Sequence, residues 1–490
     1  MSLYLNMKKK GAKSEKKLIM NVANTKYEII KDVASILRWS ISDKQDQDWD
    51  LLWTDTAVST ERLSKMRIAQ KINHFPGMYQ IARKNCMALN LNKLRKLYPS
   101  DYNFYPMTWV LPIELTDFIS ALSHNKSKTF IVKPEASSQG RGIYLVKKPE
   151  DLQETDHYIA QQYLTKPYLI DGLKFDFRIY VLVAGCDPLK IFIHEEGLAR
   201  FATETYQAPK KRNLDQAFMH LTNYAINKNN PGFIQNQEAK DEKIAHKRRL
   251  SSVLLRIEED GYDVVALWDK ICDIVIKTLC TVQPSLAHVY RSCQPFDITN
   301  SMCFEILGFD IILDHRLKPW LLEVNHSPSF TTDSVLDTEI KQKVIFEAIK
   351  IMNITTKSQK MQEAQCKSIC ELRATTSRSW KNSTEERQMA KKAALERRDK
   401  HEKRQKTGYI KIYPGDYENY YQKFMSAAAQ NWHVYTGSKN RKKDSRPLSA
   451  KRKEPVPEDA SIPRKKSLEP KSKEERSSKT ILDVYIGRNK

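Results

Sequence analysis

Two apolar runs separated by a short polar turn constrain this chain most. Phe304-Glu305-Ile306-Leu307-Gly308-Phe309-Asp310-Ile311-Ile312-Leu313 is followed, after Asp314-His315-Arg316, by Pro319-Trp320-Leu321-Leu322-Glu323-Val324-Asn325. Runs of this kind, flanking a turn, predict a buried β-hairpin. Asp310 and Glu323 interrupt the apolar stretches, where a carboxylate without a partner is costly. Glu323 and Asn325 are two residues apart and share one face of their strand. With Asp310 on the partner strand they form a set of hard oxygen donors. Magnesium takes such donors, together with phosphate oxygens and water. Taken alone, the pattern also fits ordinary polar-face residues of a hairpin.

The hairpin closes a strand-rich block from Tyr102 to Ile354. Short β-branched or aromatic runs recur at Thr129–Val132, Ile143–Val146, Tyr158–Leu164, Phe175–Val183 and Lys190–His194. One helical stretch is expected over Leu250–Cys293 and a closing helix over Asp337–Asn353, while Pro209–Arg212 and Asn227–Arg249 read as loops. Before this block, Leu18–Val22 and Trp49–Trp53 read as strands, with helices near Tyr27–Trp39 and Met78–Tyr98. The expected fold is α+β. Its parts are a small N-terminal α/β domain (17–111), a two-lobed core (112–354), a basic helical and aromatic extension (355–436) and a disordered tail (437–490).

Charge separates these parts. The formal net charge is +23, and residues 356–490 carry 34 Lys and Arg against 17 Asp and Glu. A cationic appendage of this sort seeks a polyanion. Few aromatics interleave with the basic runs at the far C-terminus, so stacking on nucleic-acid bases has little support. Ser383–Lys406 is helical in composition with a thin apolar face, so it needs a partner or stays solvated. The aromatic-rich segment Tyr409–Trp432 can dock back on the core. Eight scattered cysteines without a C-x-x-C pair read as reduced thiols. The polar, lysine-rich Met1–Lys17 does not read as a signal peptide, and no apolar run reaches the length that spans a bilayer. A soluble, intracellular protein is expected.

Further motifs carry chemistry. Phe130-Ile131-Val132-Lys133-Pro134 precedes Gln139-Gly140-Arg141-Gly142-Ile143, which brings together two of only 14 glycines. Glycine lets backbone N–H groups approach phosphate, and lysine adds a point charge. A tight hairpin with an exposed lysine would look the same. Gln161-Gln162-Tyr163-Leu164 precedes Lys174-Phe175-Asp176-Phe177-Arg178, in which Lys174, Asp176 and Arg178 alternate with apolar residues on one strand face. Gly197-Leu198-Ala199-Arg200-Phe201 offers an arginine able to grip a carboxylate with two parallel bonds. His220-Leu221-Thr222-Asn223-Tyr224 follows it.

The order of these motifs is similar to that of ATP-grasp enzymes. The wording of Lys71-Ile72-Asn73-His74-Phe75-Pro76-Gly77, of Lys174–Arg178, Gly197–Phe201 and His220–Tyr224, and of Leu321–Ser329 resembles the tubulin tyrosine ligase-like family, polyglutamylase branch, over roughly Lys17–Ile354. The resemblance implies an ATP-grasp core. It implies a ligase that uses ATP and Mg2+ to join free L-glutamate to glutamate side chains on tubulin tails through an acyl phosphate.

Carried over by position, Lys133, Gln139, Gly140, Arg141, Gly142, Ile143 and Lys174 would touch or cover phosphates. Gln161, Gln162, Tyr163 and Leu164 would meet adenine, and Asp176 the ribose. Thr222 and Asn223 would lie near the phosphates. Asp310, Glu323 and Asn325 would bind the metal. Arg200 would clamp the incoming glutamate, with Tyr224 and Arg249 as further contacts, and Arg200, Lys174 and Glu323 would be catalytic. Gln139 and His326 match chain-elongating members and would select the acceptor. The spacer Glu135-Ala136-Ser137-Ser138 departs from the glycine that many relatives carry there, which implies a stiffer flap and leaves its exact phosphate contacts, though not the reaction, open. Implied partners are tubulin and microtubules, with Ser383–Lys406 as the microtubule-binding segment. The implied state is a monomer without nucleic acid or membrane, in the cytoplasm and cytoskeleton, on the microtubules of cilia or flagella, axoneme or basal body. Glycylation or tyrosination on the same fold, or an inactive microtubule-binding protein, are the alternatives.

Overall fold

The computed structural model describes residues 17–44, 47–125, 127–136, 140–153, 155–236, 244–375 and 380–435. Gln139, Ser137, Ser138 and the tail 437–490 lie outside them. Helix and strand are mixed throughout, in three sheets.

The N-terminal sheet has four parallel strands in the order Ser40–Ser42, Ile19–Asn24, Leu51–Thr54, Lys71–Ile72. Parallel neighbours need crossovers. One crossover is the helix Glu28–Ile36, which buries Ile29, Ile30, Val33 and Ala34. The expected helix over Met78–Tyr98 forms as two pieces, Tyr79–Ala82 and Lys84–Leu97, because Arg83 between them is extended (φ −83°, ψ 130°). That break frees the first turn of the second helix to face the central cleft.

A second, antiparallel sheet runs Thr108–Val110, Tyr158–Gln162, Phe130–Pro134, Tyr144–Val146. The third is built on the 14-residue strand Leu173–Cys186, buried along most of its length. Along one side it pairs with Glu305–Leu313, which pairs in turn with Pro319–Asn325, so the hairpin expected from the sequence forms. Along the other it pairs with Leu198–Phe201 and with Leu189–His194.

Two further expectations change. Leu250–Cys293 is three helices, Leu250–Glu259, Val264–Cys280 and Gln283–Cys293. Gly261 takes a left-handed φ of +91°, Asp263 caps the second helix by accepting from the Ala266 N–H, and Pro284 sits in the first turn of the third. Within the stretch read as a loop, Lys247–Arg249 is a strand paired with Leu198–Arg200. Three consecutive basic residues give no alternation to read, and the pairing comes from the partner strand.

The extension docks on the core. Strand Tyr409–Tyr413 adds to the edge of Leu189–His194. Helix Trp380–Arg404 is held mainly by charge: Lys190, 2% exposed, donates to Asp399 Oδ1 at 2.8 Å and to both Glu402 oxygens at 2.9 Å. Arg398 Nε is 2.9 Å from Glu402. Helix Glu418–Tyr435 buries Phe424 and Met425 against the core. The seven described cysteines whose side chains are placed are free thiols. Among the described residues no helix is long and apolar enough to cross a membrane.

Candidate active site

Register assembles the site. Asp310 lies opposite Glu323 and Gly308 opposite Asn325, with an irregularity just after Asp310. The Asn325 amide nitrogen is 3.3 Å from Glu323 Oε1 and 3.4 Å from Asp310 Oδ2. The three predicted metal-binding side chains therefore converge. Their spacing leaves the amide only long contacts, and their all-oxygen capacity fits a hard divalent cation.

Beside them, cross-strand neighbours on the long strand make a four-membered ionic network. Arg178 stands opposite Asp310, and Asp176 opposite Arg200. Arg178 donates to Asp310 at 2.6 and 3.0 Å. Arg200 donates to Asp176 at 2.7 and 2.8 Å and to Asp310 at 2.9 Å. The Thr222 hydroxyl donates to Asp176 at 2.6 Å. The network carries two positive and two negative charges, which is how buried ions persist. Burial would raise the Asp310 carboxyl, but the two guanidiniums outweigh it and hold the carboxyl well below the usual range.

Residues that the resemblance assigns to ligands are also bonded to one another within the chain. Arg200, read as a clamp for an incoming carboxylate, grips two carboxylates of the chain itself. Asp176, read as a ribose contact, has both oxygens engaged. Arg178, quoted within its motif but given no role, is a full member. A buried guanidinium takes the nearest carboxylates, and those are fixed by strand register.

Across the cleft, the Lys133 ammonium donates to Gln161 Oε1 at 2.9 Å, and Gln161 donates to the Thr108 hydroxyl at 2.9 Å. Lys174 donates to the Tyr163 hydroxyl at 2.9 Å and to the His220 carbonyl at 2.6 Å. Burial pushes Lys133 down to about 8 and Lys174 down to about 7. The cavity between them is about 70 Å³ and opens to solvent. Among its walls are Lys133, Ile143, Gln161, Gln162, Tyr163, Leu164, Lys174, Asp176, Thr222, Asn223, Asp310 and Glu323. Most residues singled out in the sequence thus share one cleft between two sheets.

Others do not line it. Gly140 and Gly142 both have positive φ, +78° and +70°. The left-handed φ at Gly140 favours glycine, and a Cβ there would press on Ile226 Cδ1 where this loop lies against the Asn223–Ile226 segment. Arg141 is exposed. Tyr224 lies under the Lys247 ammonium, 3.7 Å from its ring centre, and Arg249 pairs with Glu339. His326 meets His74 edge-on at 5.6 Å. His74, Glu305 and His326 bring donor atoms within 4.8 Å of one another. Both nitrogens of His74 are already engaged, by Glu305 at 2.8 Å and the Thr54 carbonyl at 2.9 Å. That trio bolts the N-terminal turn to the hairpin.

The sequence reading missed Lys84. It opens the helix Lys84–Leu97, is 12% exposed, and places its ammonium 3.7 Å from Glu323. Nothing in the local pattern separates it from Lys93 or Lys96 on the same helix; only the break at Arg83 turns it inward.

A family model described as the tubulin-tyrosine ligase family matches residues 62–363. The chain is 49% identical over 431 residues to a probable beta-tubulin polyglutamylase of Tetrahymena thermophila, covering 87% of this chain and 36% of that protein. It is 43% identical over 432 residues to tubulin polyglutamylase ttll6 of Danio rerio (88% and 54%). It is 42% identical over 442 residues to tubulin polyglutamylase TTLL13 of Homo sapiens (90% and 54%). The chain therefore spans between a third and just over half the length of these relatives.

Proposed function

The chain belongs to the tubulin-tyrosine ligase family, and from that premise we propose that it is an ATP-dependent tubulin polyglutamylase with an ATP-grasp core. The observation that carries the reading is the convergence of Asp310, Glu323 and Asn325 beside a cleft that Lys133 lines from the opposite sheet and Lys174 from the strand next to that of Asp310. Relatives named as tubulin polyglutamylases support the choice of reaction.

A carboxylate at neutral pH is a poor electrophile. In the proposed reaction an acceptor glutamate oxygen on a tubulin tail attacks the γ-phosphorus of ATP, the bond to the β-phosphate oxygen breaks, and ADP leaves. The amine of free L-glutamate then attacks the acyl carbon, phosphate leaves, and the amine gives up its proton. Lys133 and Lys174 hold phosphate oxygens, the Gly140–Ile143 loop covers them, and Thr222 and Asn223 sit beside them. Lys84 adds charge from the opposite side. The Gln161–Leu164 edge holds adenine, and Asp176 orients both the ribose and Arg200. Asp310, Glu323 and Asn325 would hold Mg2+, which neutralises phosphate charge during transfer. Arg178 keeps Asp310 ionised for that purpose. Arg200 reaches the donor's carboxylate by exchanging one of its present contacts, with Tyr224 and Arg249 further out.

Gln139 and His326 favour extension of existing glutamate chains. The 355–436 extension, cationic and docked on the core, faces the acidic microtubule surface. On this reading the protein acts as a monomer in the cytoplasm and cytoskeleton, including ciliary or flagellar microtubules, axoneme or basal body. Incubation with ATP, Mg2+, tubulin and labelled glutamate, glycine or tyrosine, followed by mass spectrometry of the tails, tests this. Glutamate increments are expected, larger on tails that already carry glutamate; transfer of glycine or tyrosine instead would overturn it.

A further inference from the structure

The helix Glu418–Tyr435 lies beyond the stretch matched by the family model, and no residue of it lines the cleft described above. Yet it is wired to Glu323 on the cleft wall and to Lys84 beside it. Phe424, fully buried, packs on Tyr98 at 5.1 Å and on Tyr102 at 5.3 Å. Tyr98 ends the helix whose first residue is Lys84. Tyr102 packs on Phe104, whose carbonyl accepts from the Leu321 N–H at 2.9 Å, two residues before Glu323 on the same strand. Both routes end on one pair, Lys84 and Glu323, 3.7 Å apart.

The helix is clamped where it makes these contacts. Lys277 is 2.8 Å from Asp273 and 3.2 Å from Asp101, and the Tyr420 and Phe424 rings lie 5.5 and 5.6 Å from its ammonium. The Tyr420 hydroxyl donates to Asp101, and the Tyr421 hydroxyl donates to Asp273 at 2.9 Å. A clamp of buried charge and hydroxyl bonds fixes a single seating for Phe424.

We propose that this helix is a positioning element of the nucleotide cleft, and that Phe424 sets where Lys84 and Glu323 stand. The inference rests on the cleft binding ATP with a divalent cation. Coupling between a remote element and a binding site is typically worth about 5- to 150-fold in affinity.

The test uses the full chain and the dissociation constant of MgATP, measured below the melting transition. Phe424→Ala is expected to weaken binding about tenfold. Phe424→Leu, which keeps the apolar plug but not the ring contacts, gives a smaller loss in the same direction and stands in should the alanine variant not fold. Val33→Ala, buried in the N-terminal helix on neither route, lowers the melting temperature without changing MgATP binding. Combined with Lys84→Ala, the Phe424→Ala loss shrinks, because its target is gone. Unchanged binding in both Phe424 variants, or losses that simply multiply with Lys84→Ala, would overturn the proposal. A wild type that binds MgATP but ligates no glutamate refutes the polyglutamylase reading and leaves this one standing; a wild type that binds no MgATP ends both.

Discussion

Two ionic clusters buried beside the same sheet can be compared directly. At the outer edge, Lys190 spends all three of its donors on Asp399 and Glu402, at 2.8 to 2.9 Å. In the cleft, Arg178 and Arg200 are equally well bonded to Asp176 and Asp310, but the third layer is slack. Asn325 reaches its carboxylates only at 3.3 and 3.4 Å. A saturated cluster is complete without a ligand and fastens a helix. A cluster with capacity left over, facing open space, is built to be completed by something else. Buried charge alone does not distinguish scaffold from site; unused bonding capacity does.

The largest expected effect comes from the slack cluster. Glu323→Gln should lower glutamate incorporation by at least about 100-fold, the scale of losing one preorganised electrostatic group, while the melting temperature stays close to wild type. Loss of folding with retained specific activity would break the comparison.

The saturated cluster predicts the reverse. Lys190→Met removes the cation that Asp399 and Glu402 share, leaving buried Glu402 to Arg398, and should cost up to about 3 kcal/mol in urea unfolding, with turnover per folded molecule within about threefold of wild type. If this variant loses activity as heavily as Glu323→Gln, the edge cluster is not merely a fastener.

A third expectation concerns pH. Burial lowers Lys133 to about 8 and Lys174 to about 7. Both are cationic below those values and lose charge as pH rises through them, so an anionic nucleotide should bind more weakly across that window. Binding should therefore take up protons near pH 8, and MgATP affinity should fall up to about tenfold between pH 6.5 and 9. Calorimetry in buffers of different ionisation enthalpy reads the proton uptake; none would mean the lysines are not in the nucleotide's field.

The smallest effect lies at the rim of the saturated cluster. Lys411, a quarter exposed, bonds Asp399 at 2.9 Å, and Lys411→Ala should cost less than about 1 kcal/mol, with unchanged turnover. A larger loss would show the edge cluster to be more cooperative than its pairwise contacts suggest.

How much was legible depended on whether local order carried the signal. The hairpin was plain because apolar runs flanked a polar turn. Its carboxylates stood out because charge in such a run needs a reason. The strand Lys247–Arg249 was invisible, since its pairing is owed to Leu198–Arg200 and not to its own pattern. The breaks at Gly261 and Asp263 hid in a stretch whose apolar periodicity ran on past them. The docking of Trp380–Arg404 was open for the same reason: a helix with almost no apolar face gives no hint that its anchor is a buried lysine two hundred residues earlier.

The sequence by itself determined which residue types stand on which strand face, because side chains alternate at a fixed period and need no distant partner to do so. It therefore determined the oxygen donors, the lysines, the glycine loop and the family. Tertiary structure alone decided who holds whom. Strand register set Arg178 and Arg200 against Asp310 and Asp176, and a helix break swung Lys84 toward Glu323. Partnership between charges falls off over a few ångströms, and distances of that order between residues a hundred positions apart exist only once the chain has folded.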